Sequence, residues 1–163
     1  MRRPLIYFLT LLLLWAVMAE LNHRLSGWHV TLFAGGLFVT YAAFVLPLGE
    51  ALGLAFAAGL VADSQAPVRF GSHAVLFAAV ATGLYRWRHR LPHDEVFGRV
   101  AIALVANLAL FFAVTFLRFR PPPAALWPRL GSDLIFSQLW LALIAPWFFA
   151  LQEKALEGSR HHV

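Results

Sequence analysis

This sequence predicts an all-α fold: a polytopic membrane helical bundle of about six transmembrane helices, the third and fourth short and possible partners in a hairpin. Three observations carry that expectation. Hydrophobic residues make up 61% of the 163-residue chain and charged residues only 13%, too few to coat a soluble core. Apolar runs close to the spanning length of about 20 residues recur along it. Arginines collect mainly beside those runs, where they set orientation and meet the headgroups of membrane lipids. The chain 1–163 therefore reads as a single transmembrane domain with no soluble domain. Its formal net charge of +5 belongs to that membrane setting, and no nucleic-acid partner is expected. With no cysteine, disulfides, thiolate metal sites and thiol catalysis are excluded.

The first apolar segment runs from Pro4 to Glu20 behind Arg2 and Arg3. Its end, Val17-Met18-Ala19, is acceptable to a signal peptidase, but the run is long for a leader and further spans follow, so it reads as a retained helix. The second segment is Trp28 to Leu46. Two shorter stretches come next, Ala51 to Ala62 and Phe70 to Tyr85, joined by the polar turn from Asp63 to Arg69. They fit short tilted helices or a re-entrant hairpin. Val96 to Leu117 is the fifth segment, with Asp94 and Glu95 favourably placed at its start. Leu134 to Leu151 is the sixth, and Pro146 is expected to kink it.

Charge sets the orientation. Six crossings with both termini cytoplasmic put Arg2, Arg3, the Arg86-Arg88-Arg90 cluster, Arg99, Lys154 and Arg160 inside, against Arg24, Arg69, Arg118, Arg120 and Arg129 outside. The positive-inside rule favours this arrangement, and a re-entrant hairpin preserves it.

Small residues mark helix contacts. Gly49, Gly53 and Ala57 repeat every four residues, as do Ala51, Ala55 and Gly59, and Ala74, Ala78 and Thr82 follow suit in the next segment. Packing inside the bundle is the expected use, and a docking face for another membrane protein is the functional alternative. Polar groups within apolar segments need partners. Asn107 is expected to bond a neighbouring helix, with Ser137 and Gln138 as its candidates. Asp63 closes a helix at the negative end of its dipole and needs compensation. Either Arg69 or the amides of the next helix around Gly71 and Ser72 can supply it, making Asp63 the latch of a helical hairpin. His73 reads as a hydrogen-bonding residue rather than a metal ligand, because no second ligand sits at i+3 or i+4.

Catalytic patterns are missing: no phosphate loop, no His-Glu-x-x-His, no nucleophile elbow and no carboxylates paired along one helix. No enzyme activity, metal site or cofactor is expected. The loop Arg118 to Gly131 carries Pro121, Pro122 and Pro123, then Leu126-Trp127-Pro128. It reads as a stiff connector with Trp127 as interfacial anchor, or as a contact strip for an extracytoplasmic partner.

The stretch Gly59 to Arg90, with Gly59-x-x-x-Asp63, a polar turn, Gly71-x-His73-Ala74, an apolar run and a basic cluster, resembles the MreD family of rod shape-determining proteins. Overall size and the multispan layout agree. Family members usually have a glycine-rich turn where this chain has Gln65 to Arg69. The resemblance implies a bacterial inner-membrane scaffold acting in side-wall peptidoglycan synthesis with MreC, the actin-like MreB, the glycosyltransferase RodA and a class B penicillin-binding protein. The competing reading is the substrate-binding subunit of an energy-coupling-factor vitamin transporter, similar in size and helix count. Against it stand the bulky Leu11 to Trp15 stretch, where such subunits usually present small residues, and the few convergent polar groups.

Overall fold

A computed structural model of the chain describes residues 2–64, 69–91, 95–119 and 123–158. Every regular element among them is helical: α1 (Arg2–Leu25), α2 (Gly35–Val45), α3 (Leu48–Asp63), α4 (Ser72–Trp87), α5 (Val96–Phe119) and α6 (Trp127–Gly158), with single 3₁₀ turns after α1, after α4 and before α6.

Helix α1 shows why the bundle belongs in a membrane. Tyr7, Leu11, Leu14 and Met18 recur at three- and four-residue spacing and are buried, while Leu5, Leu9, Leu13 and Val17 are as apolar and face outward. A helix that is apolar on both faces suits a protein core on one side and lipid on the other. α1, α5 and α6 are each long and apolar enough to cross a bilayer. The remaining three are shorter, at 11, 16 and 16 residues, or about 16, 24 and 24 Å against a hydrocarbon core of about 30 Å.

α2 is the axis of the bundle: Gly35 through Phe44 are all buried. It packs most extensively on α5, where Gly36 is required, since an added Cβ would lie 2.1 Å from the Ala103 carbonyl oxygen. The α3–α4 pair is the tightest in the fold. There a Cβ on Gly59 would sit 2.3 Å from the Ala74 Cα, so the two backbones touch. The hairpin of two short helices expected from the sequence is thus present.

At one end of the bundle Arg99 pairs with Glu153, linking α5 to α6. The Arg99 guanidinium also lies 6.0 Å from the Tyr41 ring, and Tyr41 stacks on Phe149 and tilts against Tyr7. Gln152 Nε2 donates to Thr10 Oγ1 at 3.3 Å. α6 passes through Pro146 as one continuous helix, although the ring removes one backbone donor.

Three expectations need correction. Trp28 to Leu46 is not one spanning helix: Ser26–Trp28 form a 3₁₀ turn, His29 closes it in the left-handed region at φ 56°, and Val30 to Ala34 are non-helical before α2 begins. The stretch is apolar on both sides of the break, but side chains from elsewhere claim its backbone amides, as described below. The connector expected over Arg118 to Gly131 is much shorter. α5 runs to Phe119 and α6 starts at Trp127, so Arg129 and Leu130 are helical; Pro121 and Pro122 lie outside the described residues. Finally, Gly49 and Gly53 do not pack inside the bundle. Both are exposed, and a Cβ on either would meet nothing within 4 Å.

Candidate functional site

The polar residues of the opposite end form two linked constellations. The first is the α3–α4 latch. Gly71 adopts φ 93°, a conformation glycine reaches without penalty, and so turns its own amide and those at the start of α4 toward the end of α3. Asp63, 4% exposed, receives them. Its Oδ2 accepts from Gly71 N at 2.9 Å and more weakly from Ala74 N at 3.4 Å; its Oδ1 accepts from His73 N at 3.0 Å. His73 Nδ1 lies 2.8 Å from the same Oδ1, both side chains being buried. The unfavourable end of the α3 dipole is therefore answered by the favourable end of α4. Of the two compensations open in the sequence, the amides are the one used; Arg69 is exposed and makes no bond to the carboxylate.

The second constellation holds the non-helical stretch before α2. Asn22 on α1 behaves as a strand partner: its Oδ1 accepts from Leu32 N at 2.7 Å and its Nδ2 donates to Leu32 O at 3.0 Å. Asp133 Oδ1 accepts from Thr31 N at 2.8 Å, and Ser137 Oγ accepts from Phe33 N at 2.9 Å, both from α6. Asn107 on α5 donates to Phe33 O and accepts from Gly36 N, each at 3.1 Å. Buried irregular backbone needs its polar groups satisfied by protein, and four side chains from three helices do so here. Asn107 does bond a neighbouring element, as expected, but not Ser137 or Gln138; Gln138 instead donates to Leu104 O at 3.2 Å.

Phe33 joins the two constellations, its ring centroid 6.5 Å from that of His73. Two cavities flank the segment. The larger, about 380 Å³, lies between α1, α4, α5 and the segment, and is lined by Trp15, Asn22, Phe38, His73, Phe77 and Arg118 among others. The smaller, about 320 Å³, lies on the α5–α6 side with Thr115, Arg118, Arg129 and Asp133 in its wall. Thr31, Leu32, Phe33, Val114 and Arg118 border both.

Of the candidates read from sequence, Gly59, Asp63, Gly71 and His73 converge in the latch, and Asn107 stands beside it in the second constellation. Arg69, Gly49 and Gly53 do not join them, Trp127 sits half-exposed at the start of α6, and Pro122 is outside the described residues. Sequence reasoning missed Asn22, Asp133 and Gly36. Asn22 and Asp133 lie just outside the expected apolar segments and look like loop residues; the Gly35-Gly36 pair behind β-branched Val30 and Thr31 was the available signal that helix starts late. Among the described residues, no three His, Asp or Glu side chains gather as a metal site would require. No family model, no curated protein and no solved structure matches the chain.

Proposed function

We propose that this chain is a non-catalytic inner-membrane scaffold of the bacterial cell-elongation machinery, serving side-wall peptidoglycan synthesis in the manner of the MreD proteins it resembles. One observation carries the reading. The residues on which the resemblance rests, Gly59, Asp63, Gly71 and His73, form a single structural knot, and the polar side chains beside them are engaged with the chain's own backbone. That is what a fold built to hold a shape needs; a catalyst needs reactive groups left free for substrate.

In this reading both termini are cytoplasmic and the Asp63 end faces outward. The Arg86 to Arg90 cluster then meets the cytoplasmic leaflet, as the positive-inside rule requires. The exposed Gly49–Gly53 face of α3 is the surface for the single span of an MreC-like partner, since small residues allow close helix approach. MreB, RodA and a class B penicillin-binding protein complete the expected assembly. The second reading, a substrate-binding subunit of an energy-coupling-factor transporter, draws its support from the two cavities beside the Thr31–Phe33 segment.

A mild-detergent pull-down of the tagged protein from its native membrane, with a control bait of similar hydrophobicity, separates the two. MreC-like and peptidoglycan-synthesis proteins among the recovered partners support the scaffold. ATPase subunits with a coupling transmembrane protein support the carrier and overturn the scaffold.

A further inference from the structure

The larger cavity has features that the scaffold role leaves unexplained. Its volume of about 380 Å³ falls within the range of small-molecule sites, about 300–1,000 Å³. Its wall is aromatic and apolar, with Trp15, Phe33, Phe38 and Phe77. Its polar groups are unevenly matched. Asn22 bonds Leu32 through both of its amide atoms, but Arg118 has no carboxylate partner among the described residues, its guanidinium lying against the Phe119 ring at 5.0 Å.

His73 adds a second, independent pointer. It is 4% exposed yet borders the cavity, and Asp63 occupies its Nδ1, which leaves Nε2 as the ring's remaining polar atom. Ala34, which caps α2, and Gly35, its first residue, also border the space and bring the positive end of that helix dipole to it. Among the described residues, the only carboxylate in either wall is Asp133. It belongs to the smaller cavity, bonds Thr31 N, and has Arg129 in the same wall. A guanidinium, a buried imidazole and a helix N-terminus around an apolar chamber favour a ligand that is acidic at one end and apolar at the other.

We propose that these cavities form one binding site for an acidic amphiphile, its anionic head held by Arg118 and its apolar body lodged among Trp15, Phe33, Phe38 and Phe77. The shared chemistry, an anionic group on an apolar body, is supplied either by an anionic phospholipid of the bilayer or by a free single-chain acid. The inference rests on the fold and not on the elongation role, so it stands or falls independently of which partners are recovered.

Native mass spectrometry of the intact protein tests it, with the protein released from micelles doped equally with phosphatidylglycerol, palmitate or phosphatidylcholine. The wild type is expected to retain one of the acidic probes under activation that strips phosphatidylcholine. Retention of phosphatidylglycerol identifies a bilayer lipid as the source, and retention of palmitate alone identifies a small acid. Arg118→Gln, at the end of α5, is expected to lower the acidic-over-zwitterionic preference by roughly ten- to a hundredfold, as expected for loss of charge-assisted hydrogen bonds. Val114→Phe, which fills space bordering both cavities, is expected to lower retention of the acidic probe without altering helix content. Equal retention of all three probes by the wild type overturns the proposal, as does an unchanged preference in Arg118→Gln or undiminished retention in folded Val114→Phe.

Discussion

Removing the Asp63 carboxylate is the sharpest perturbation available, because one side chain serves several donors at once. Asp63→Ala strips the partner from Gly71 N, His73 N and the His73 ring, and from the longer Ala74 contact. Hydrogen bonds to a charged group are worth about 1.5–3 kcal/mol each, but four on one carboxylate do not add. Part of the loss is also recovered where half-exposed Gly71 meets water. Breaking a buried pair from one side costs about 3–5 kcal/mol, and that range is the expectation here. Asp63→Asn retains one acceptor oxygen and places an NH₂ against the other set of donors. It satisfies either the Gly71 side or the His73 side, with an expected loss of about 2 kcal/mol. Equilibrium unfolding of the purified protein in mixed micelles of rising dodecyl sulfate content, followed by circular dichroism, measures both variants against the wild type. The reasoning is refuted if Asp63→Ala lies within about 0.5 kcal/mol of wild type, the range of an inconsequential surface change. It is equally refuted if the two variants lose the same amount, because a retained oxygen must count for something.

Asn107→Ala leaves Gly36 N and Phe33 O without their partner in a buried setting, and is expected to cost about 2–4 kcal/mol in the same titration, with faster amide exchange over residues 31–36. Gly36→Ala drives a methyl against the Ala103 carbonyl and forces α2 off α5; a loss of about 1–3 kcal/mol or more is expected, seen as reduced membrane accumulation and an earlier unfolding midpoint. The double variant Gly49→Leu/Gly53→Leu enters open space, so its unfolding midpoint is expected to stay within about 0.5 kcal/mol of wild type while recovery of the single-span partner in the pull-down falls sharply. Normal partner recovery by that stable double variant rules out the α3 face as the docking surface.

Much of the fold is legible in the sequence because a bilayer imposes a simple filter: length of apolar run and placement of arginine. α1, α5 and the core of α6 follow that filter directly, and the short α3–α4 pair follows from the polar turn and the four-residue spacing of Gly59 with Ala55 and Ala51. Asp63 was legible for a different reason. A carboxylate at a helix C-terminus is an electrostatic conflict visible without coordinates, and Gly71 is the residue that lets the following amides turn back to resolve it. The non-helical stretch Val30 to Ala34 was not legible. Its residues are no less apolar than those of a spanning helix, and apart from Asn22 the side chains that hold it stand far along the chain: Asn107 is separated from Gly36 by 71 positions and Ser137 from Phe33 by 104. No local propensity encodes such a competition. Gly49 and Gly53 repeat at the same four-residue interval as Ala55 and Gly59, yet one series lies on an open face and the other meets a backbone, because spacing identifies a smooth surface without saying which neighbour meets it.

The distance in sequence between the segment and its supports has a consequence for biosynthesis. Thr31 and Phe33 leave the ribosome roughly a hundred residues ahead of Asp133 and Ser137, separations of 102 and 104 positions. At about 5–20 residues per second that is a delay of about 5–20 s. Throughout it, α2 is the most deeply enclosed helix of the finished protein and yet lacks two of the four side chains that hold the segment at its leading end. The leading end of the innermost element therefore has its full set of partners only once α6 has been made. A chain stopped before α6 would hold five helices and an unsealed centre, a state that membrane quality-control proteases are suited to detect. The same side chains that order residues 31–36 thus tie the centre of the bundle to the last helix of the chain to be made.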